Sequence, residues 1–188
     1  MAFNRTLKER KTVDMKSFPT EQILVVDESD TIIGPGDKID VHREGRLHRA
    51  FSVLIHDGSG RWLLQKRAKT KYHSGGLWTN TACGHPRPDE SAIDAATRRT
   101  AEEMGFAADL RFVDTNRYRT ELDNGMTENE IVHVFIGQHN GMIAPNPDEA
   151  EGYAWRTTAE IQQDMAADPE NFTYWFRKYV QEFLPGLI

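Results

Sequence analysis

The chain has 188 residues, with 23 Lys and Arg against 29 Asp and Glu, and a formal net charge of −6. This length predicts one domain that buries a core without disulfides or structural zinc. The single cysteine, Cys83, excludes an internal disulfide, and the negative charge argues against broad binding to nucleic acid. No apolar run approaches the ~20 residues that span a bilayer. We therefore expect a cytoplasmic protein that contacts neither membranes nor nucleic acid.

The first twenty residues differ from the rest of the chain in composition. They lack the apolar core of a secretory signal and carry five basic side chains, namely Arg5, Lys8, Arg10, Lys11 and Lys16. We expect residues 1–20 to form a flexible basic extension and residues 21–188 to form a single domain.

Short strands separated by turns are predicted for the first half of that domain. Apolar runs predict strands over residues 22–27, 49–56 and 61–66. Gly34-Pro35-Gly36-Asp37 is rich in turn-forming residues and predicts a turn. Asp57-Gly58-Ser59-Gly60 predicts the hairpin connection between the second and third strands, and the polar stretch 69–76 predicts a loop.

Residues 90–104 are predicted to form a helix. Their core-facing positions recur at a spacing of three to four residues: Ile93, Ala96, Thr100 and Met104. Asp89 or Ser91 can cap the start of this helix, and Gly105 ends it.

The second half of the chain predicts two more strands and two more helices. Residues 117–120 and 128–137 read as strands separated by Asp123-Asn124-Gly125. Thr157 and Glu160 have the spacing of a capping box and predict the start of a helix. A last helix is predicted from aromatic residues along one side: Phe172, Trp175 or Phe176, Tyr179 and Phe183. Strands alternating with a few helices predict a layered α/β fold.

The helix over residues 90–104 carries most of a spaced motif, the Nudix box Gly-x5-Glu-x7-Arg-Glu-U-x-Glu-Glu-x-Gly-U, where U is apolar. The matching positions are Gly84, Glu90, Arg98, Glu102, Glu103, Gly105 and Phe106. Nudix hydrolases use several carboxylates of this box to hold divalent cations that polarise a diphosphate and activate water. Arg99 stands where the box has Glu, and Thr100 stands where it has an apolar residue. Arg99 removes a metal ligand and supplies forked donors that suit phosphate oxygens, which indicates a kept fold with a changed chemistry.

Histidine and glutamate residues form a second candidate group. His42, His48 and His85 are accompanied by Glu128 and Glu130, which point to the same side of a predicted strand because they are two residues apart. Three imidazoles with two carboxylates suit a transition metal or a permissive Mg, Mn or Zn site. The chain has seven histidines, so ordinary surface or core positions remain the alternative for any chosen three.

Cys83 is a third candidate. A lone cysteine is usually a small buried apolar side chain. Its position beside Gly84 and His85, where the box opens, favours chemistry instead. A thiol near a metal or cationic groups can have a lowered pKa and then serve as an acid or base.

Basic and aromatic side chains complete the set of candidates. Lys38, Arg67 and Lys71 could gather phosphate oxygens, although each one taken alone is more simply a surface cation. Tyr118 and Trp175 are, by default, core aromatics.

The chain resembles the type I isopentenyl-diphosphate isomerases, which are Nudix-fold enzymes. The resemblance covers about residues 22–183 and rests on four motifs: Leu47-His48-Arg49-Ala50-Phe51-Ser52, Trp78-Thr79-Asn80 through Cys83-Gly84-His85-Pro86, Arg117-Tyr118-Arg119, and Glu128-Asn129-Glu130. It implies a Nudix-type α/β/α layered sandwich with a mixed sheet, in the α/β (α+β) class, as the single catalytic domain. The family interconverts isopentenyl and dimethylallyl diphosphate by protonating an alkene and removing a proton from the other end of the allyl unit.

The resemblance also assigns roles, residue by residue. It makes Cys83 and Glu130 the acid–base pair, assisted by Tyr118. It implies that one Mn²⁺, Mg²⁺ or Zn²⁺ ion is bound by His42, His48, His85, Glu128 and Glu130. It implies that Glu103 helps to hold a Mg²⁺ ion that bridges the diphosphate, and that Trp175 faces the hydrocarbon. The diphosphate itself would contact Lys38, Arg67, Lys71 and Arg99.

Two other functions remain as alternatives. A Nudix hydrolase of a nucleoside diphosphate derivative would need the carboxylate that Arg99 replaces, and it would need no thiol. A non-catalytic diphosphate-binding domain would lack one or more of the acid–base or metal residues, all of which are present. The leading expectation is therefore an isomerase acting on a small isoprenoid diphosphate, as a monomer or weak homodimer.

Overall fold

The computed structural model describes residues 21–122 and 124–184. The predicted basic extension over residues 1–20 lies outside the described residues. Within the described part of the chain, no helix combines the length and apolar character needed to cross a membrane. The strands are β1 Gln22–Val26, β2 Ile32–Asp37, β3 His48–His56, β4 Arg61–Arg67, β5 Trp78–Thr79, β6 Ala82–Gly84, β7 Arg111–Glu121, β8 Thr127–Gln138 and β9 Ala150–Thr157. The helices are α1 Lys38–Glu44, α2 Ala92–Met104, α3 Thr158–Ala167 and α4 Tyr174–Glu182, with a short 3-10 turn at Pro169–Asn171.

Strand β3 is the centre of a mixed sheet. Its whole length pairs in parallel with β8, from His48 beside Glu130 to His56 beside Gln138. Its other edge is shared by β1, β6 and β4, which all run antiparallel to it. Strand β7 extends the sheet beyond β8, and β9 pairs with β4.

Helices cover both faces of this sheet. One face packs against α3 and α4, where Ala50 and Leu54 of β3 meet Phe176 and Tyr179. The next residues along β3, such as Phe51, face the opposite side and pack against α2. Successive side chains of β3 therefore point to opposite faces and contribute to two cores, as expected for a sheet buried on both faces. The predicted α/β/α layered sandwich is confirmed.

The box helix α2 begins at Ala92, two residues later than predicted. Ser91 is its N-cap and accepts a hydrogen bond from the Asp94 amide, and Gly105 ends it with φ at 76°. A side chain at Gly105 would place its Cβ 2.4 Å from the Ala144 carbonyl oxygen, so the last glycine of the box is required by packing. The prediction that Ile93 faces the core is wrong, because 40% of that residue is exposed.

The turn predicted at residues 34–37 is wrong, because this segment belongs to β2. Leu24 pairs with Pro35 and Val25 with Gly34 in an antiparallel ladder with β1. Strand β2 lies at the sheet edge, where a proline costs no ladder hydrogen bond on its solvent side. Gly34 has φ at 152°, a value that favours glycine and lets this segment follow the ladder.

Other predicted elements are confirmed with small shifts. The strands over residues 49–56 and 61–66 are β3 and β4, and those over 117–120 and 128–137 are parts of the longer β7 and β8. The 69–76 stretch is a loop. Thr157 and Glu160 form the predicted capping box at the start of α3. The aromatic side of α4 is buried at Trp175, Phe176 and Tyr179.

Candidate active site

Strand register brings the predicted acid and base to one face of the sheet. On one edge of β3, Cys83 of β6 pairs with Ser52. On the other edge, Glu130 of β8 pairs with His48. Paired residues share a face, and residues 48 and 52 share a face because they are four apart. Tyr118 of β7 pairs with Glu130 and therefore joins the same face.

The predicted histidines converge beside Glu130. His42, His48, His85 and Glu130 each offer a ligand atom, and these atoms lie within 4.8 Å of one another. The Nδ1 atom of His42 lies 2.6 Å from the Lys38 carbonyl oxygen, and Nδ1 of His48 lies 2.8 Å from that of Arg46. These contacts fix both rings with Nδ1 as the donor and leave each Nε2 to point into the cluster.

The donor set fits a divalent cation. Three buried ring nitrogens have no hydrogen-bond partner among the described residues: Nε2 of His42, Nε2 of His48 and Nδ1 of His85. Burial and the neighbouring histidines lower the pKa of His42 to about 3, and burial lowers the pKa of His85 to about 4 despite the nearby Glu130 carboxylate. Neutral imidazoles with free nitrogens beside a carboxylate are what a transition-metal site requires.

Glu128 lies next to this group but has other partners. Its Oε1 is 3.4 Å from Nε2 of His73, and its Oε2 is 2.7 Å from the Tyr118 hydroxyl. The same hydroxyl lies 2.6 Å from Oε2 of Glu130. A phenol has one proton, so it can donate to only one of the two carboxylates, and the other must be protonated to bond with it.

The electrostatics identify the protonated member of that pair. Burial and the charge of Glu130 raise the pKa of Glu128 to about 8. Burial also acts to raise the pKa of Glu130, but the nearby rings of His48 and His85, whose Nε2 atoms lie 3.4 Å and 3.0 Å from Oε1, outweigh it and hold that pKa well below its usual range. Burial raises the pKa of Tyr118 well above its usual value. A protonated Glu128, a neutral Tyr118 and an ionised Glu130 therefore form one hydrogen-bonded chain.

The thiol of Cys83 is protonated. Burial raises its pKa to about 12, although the Arg67 guanidinium, 3.9 Å from Sγ, acts in the opposite direction. The sequence suggested that nearby cations could lower this pKa, and the burial of the thiol reverses that direction. Cys83 thus rests as an acid while Glu130 rests as a base.

Three of the four basic side chains predicted to contact diphosphate are paired with carboxylates. Lys38 lies 2.8 Å from Glu21. Lys71 and Arg99 both contact Glu149, at 2.5 Å and 3.0 Å. Sequence reasoning missed Glu21 and Glu149, because neither belongs to a spaced motif and both approach the site only through the folding of the chain.

Arg99 and Glu103 form the part of the site that α2 contributes. Being four residues apart, they share a helical face, and their Nη2 and Oε1 atoms lie 2.8 Å apart. Gln65 of β4 also donates to Glu103, at 2.8 Å. Burial raises the pKa of Glu103, opposed by the charge of Arg99 and the hydrogen bond from Gln65.

Arg67 lies deeper than the other cations. Its guanidinium donates to the carbonyl oxygens of His73 and Ser74, both at 3.2 Å, and it lies 5.5 Å from the centre of the Trp175 ring. These contacts fix the 69–76 loop against the site. They also bring in His73, a buried residue that sequence reasoning missed because its chain segment reads only as a polar loop.

One cavity of about 370 Å³ connects these groups. All the predicted site residues line it except His42 and His48, which are fully buried behind it. Tyr72, His73 and Ser52 complete part of its wall. A cavity of this size, lined both by cations and by Cys83, Tyr118 and Trp175, suits a small ligand with an anionic group and an apolar group.

Comparisons with known proteins agree with this geometry. The NUDIX domain family model matches residues 46–176. The chain is 47% identical over 161 residues to an isopentenyl-diphosphate Delta-isomerase of Burkholderia multivorans, covering 86% of this chain and 92% of the relative. It is 44% identical over 156 residues to an isopentenyl-diphosphate Delta-isomerase of Serratia proteamaculans, covering 83% of this chain and 87% of the relative.

Solved structures share the fold at low sequence identity. A protein from Deinococcus radiodurans has a TM-score of 0.72 at 16% identity, over 86% of this chain and 98% of that one. A MutT NUDIX hydrolase from Burkholderia pseudomallei has a TM-score of 0.59 at 20% identity, over 73% of this chain and 98% of that one. At these identities the likeness concerns the fold alone.

Proposed function

The chain belongs to the isopentenyl-diphosphate Delta-isomerase family within the Nudix fold, and from this premise we propose that Cys83 and Glu130 are its acid–base pair. The enzyme interconverts isopentenyl and dimethylallyl diphosphate, a 1,3-allylic rearrangement of isoprenoid biosynthesis. One carbon of the allyl unit gains a proton and another carbon loses one, so the molecular formula is unchanged. Such a reaction needs two proton-transferring groups on different sides of the substrate.

The observation that carries the assignment is the register of β3. Cys83 and Glu130 reach the same cavity from strands on opposite edges of this one strand. They also rest in opposite protonation states, because burial keeps the thiol protonated while the nearby histidine rings keep Glu130 ionised. Each turnover reverses which group holds a proton, so exchange of protons with solvent must restore both groups before the next turnover in the same direction. Tyr118, bonded to Glu130, is proposed to assist the proton transfer there.

A divalent ion would be held by His42, His48, His85 and Glu130, with Glu128 beside them. We propose Mn²⁺, Mg²⁺ or Zn²⁺, since imidazoles with carboxylates accept each of these ions. When bound, the ion would polarise the carboxyl group of Glu130 and so strengthen it as an acid in the direction of reaction in which Glu130 donates the proton. The chain's own part is to orient the ring nitrogens through the carbonyl oxygens of Lys38 and Arg46.

The diphosphate is proposed to bind at the cations of the cavity. Lys38, Lys71, Arg67 and Arg99 supply the donors, and Glu103 is proposed to help hold a Mg²⁺ ion that accompanies the diphosphate. Glu21 and Glu149 keep Lys38, Lys71 and Arg99 in place before the substrate arrives. These cations allow the cavity to bind an anion although the whole chain has a formal net charge of −6.

Trp175 is proposed to face the hydrocarbon. Protonation of an unactivated alkene produces a tertiary carbocation, which water would capture, so the reacting end must be shielded. Trp175 is 3% exposed and lines the cavity. The face of a tryptophan stabilises a desolvated cation by about 2 kcal/mol.

Location and partners follow from the same proposal. A reduced thiol is needed at Cys83, which favours the cytoplasm. The substrate is a small isoprenoid diphosphate, and neither a membrane nor nucleic acid takes part. The protein is proposed to act as a monomer or weak homodimer.

One assay tests the function against hydrolysis. Purified protein is incubated with isopentenyl diphosphate and Mg²⁺, and the products are followed by NMR together with a phosphate assay. We expect dimethylallyl diphosphate and no phosphate release, because Arg99 replaces a carboxylate that the hydrolytic box requires. Steady phosphate release without isomerisation would refute the proposal.

A further inference from the structure

The Trp78-Thr79-Asn80 segment precedes Cys83 and has no part in the chemistry proposed above. Its two polar side chains are nevertheless almost completely buried, Thr79 at 0% and Asn80 at 1% exposure. Both contact the indole of Trp175, whose Nε1 donates to Oγ1 of Thr79 at 2.9 Å and to Oδ1 of Asn80 at 3.1 Å. Burying a polar group costs free energy unless the group is hydrogen-bonded, so these bonds are needed to offset the burial of Thr79 and Asn80.

Thr173 extends the network and settles its direction. Its hydroxyl lies 3.0 Å from Oγ1 of Thr79, which in turn lies 3.0 Å from Oδ1 of Asn80. Asn80 Oδ1 can only accept, so the single proton of Thr79 goes to Asn80 and the proton of Thr173 goes to Thr79. Every donor then has an acceptor, which is either Oγ1 of Thr79 or Oδ1 of Asn80.

The amide of Asn80 is itself fixed by two backbone strands. Its Nδ2 donates to the carbonyl oxygen of Val53 in β3 at 3.2 Å and to that of Ala82 in β6 at 2.7 Å. These contacts determine which way Oδ1 points. Because Ala82 directly precedes Cys83, one side chain links the backbone at the thiol to the indole of Trp175.

The hydroxyl of Thr173 takes part in this network and does not cap helix α4. Thr173 is the N-cap of α4, a position where threonine usually accepts a hydrogen bond from the helix, yet its side chain makes no capping bond. The hydroxyl is directed to Thr79 instead. Helix α4 starts with Trp175 as its second residue, so the uncapped end is the end that carries the indole.

We propose that Thr79, Asn80 and Thr173 are positioning residues that fix the indole of Trp175 relative to Cys83, so that its face meets the carbocation. The attraction between a cation and a ring depends on the cation lying over the ring face, so a small rotation of the indole weakens it. A rotated indole should therefore destabilise the carbocation and leave binding of the diphosphate unchanged. This inference rests on the role proposed for Trp175.

The test uses two substitutions that remove one hydroxyl each, Thr79→Val and Thr173→Val. The control is Thr81→Val, an equally buried threonine directly after this segment, whose hydroxyl donates to the Leu63 carbonyl oxygen and accepts from the Ile55 amide. Among the described residues, the indole Nε1 of Trp175 donates to Thr79 and Asn80 and not to Thr81. Two diphosphate esters of equal shape serve as probes, one with a tertiary ammonium group at the reacting carbon and one with a neutral carbon there. Their dissociation constants are measured by calorimetry with Mg²⁺, beside kcat and KM.

We expect the wild type to bind the ammonium ester up to about 30-fold more tightly than the neutral ester. Thr79→Val and Thr173→Val should each reduce this ratio by about fivefold and lower kcat, with KM nearly unchanged. Thr81→Val should lower the thermal unfolding temperature and leave the ratio and kcat at wild-type values. The two test variants act from β5 and from the N-cap of α4, so the result does not depend on one of them folding well.

An unchanged ratio in both test variants, or an equal fall in Thr81→Val, overturns the positioning role. A wild type that isomerises substrate but does not prefer the ammonium ester overturns it together with the role of Trp175. A wild type that does not isomerise at all refutes the proposed function instead, so the two failures are distinguishable.

Discussion

Replacing Arg99 by Gln tests how the altered box works. The guanidinium of Arg99 contacts three carboxylates, Glu102 at 2.9 Å, Glu103 at 2.8 Å and Glu149 at 3.0 Å. Glu103 is almost completely buried, and its pKa is already raised by burial despite the charge of Arg99. Without that charge, Glu103 should take up a proton more readily, and Glu149 should hold Lys71 alone.

The size of the effect follows from the geometry. Removing one partner of a fully buried pair costs about 3–5 kcal/mol. Arg99 is 22% exposed, and Glu103 keeps its bond from Gln65, so we expect about 2 kcal/mol at neutral pH. For a chain of this length that corresponds to a fall of about 4–8 °C in Tm. Loss of a charge-assisted bond to the diphosphate should raise KM by about 10- to 150-fold.

The pH dependence has a definite sign. A carboxyl group with a raised pKa binds more protons in the folded state than in the unfolded state, so the free energy of unfolding falls as pH rises through that range. Arg99→Gln raises the pKa of Glu103 further, so its deficit in Tm should be large at pH 7.5 and smaller at pH 5. The assays are thermal unfolding at both pH values and initial rates of isomerisation over a range of substrate concentrations.

Arg98→Gln is the matched control. Arg98 is the neighbouring residue, it has ion pairs with Glu90 at 2.7 Å and Glu102 at 3.1 Å, and it does not line the cavity. It should lower Tm and leave KM unchanged. A wild-type KM in Arg99→Gln, or an equal rise in KM in both variants, would contradict the proposed contact between Arg99 and the diphosphate.

Three further predictions concern the acid–base pair, the metal and the buried histidines. Cys83→Ala should lower turnover by about 10²–10⁴-fold while metal and substrate still bind. If this variant incorporates deuterium from D₂O into the allyl unit as fast as the wild type, as followed by NMR, Cys83 has only a packing role. Removal of divalent ions with a chelator should abolish activity, and full activity in excess chelator would exclude a metal role. His85→Ala should weaken metal binding in a titration by more than the about 10- to 100-fold that is typical for loss of a residue that only supports a ligand. Because burial lowers the pKa of His42 to about 3 and that of His85 to about 4, the unfolded chain binds more protons than the folded chain below its ordinary histidine pKa. The free energy of unfolding of the metal-free protein, measured with urea, should therefore decline as pH falls from about 6.5 to about 4, and less steeply in His42→Gln. A flat profile in the wild type would refute this origin.

The local features of the fold were predictable from the sequence because they depend on residues close together in the chain. Ser91 and Gly105 bound α2 through hydrogen bonds that span three or four residues. The capping box of α3 has the same short range. The spacing of the box placed Arg99 and Glu103 on one helical face, where the structure pairs them. The motifs shared with the isomerase family contain Cys83, His85, Tyr118, Glu128 and Glu130, whose side chains all line one cavity.

Other features depended on partners far away in the chain. The segment 34–37 has the composition of a turn and becomes a strand because β1 offers it a ladder. Glu149 and His73 enter the site through contacts with residues 50 or more positions away, namely Lys71 or Arg99 and Glu128. Nearby cations suggested a lowered pKa for Cys83, and only the desolvation of its thiol in the folded site determined that this pKa is raised instead. Capping and helical periodicity are local interactions, whereas strand pairing, desolvation and the orientation of buried rings arise only when distant segments meet.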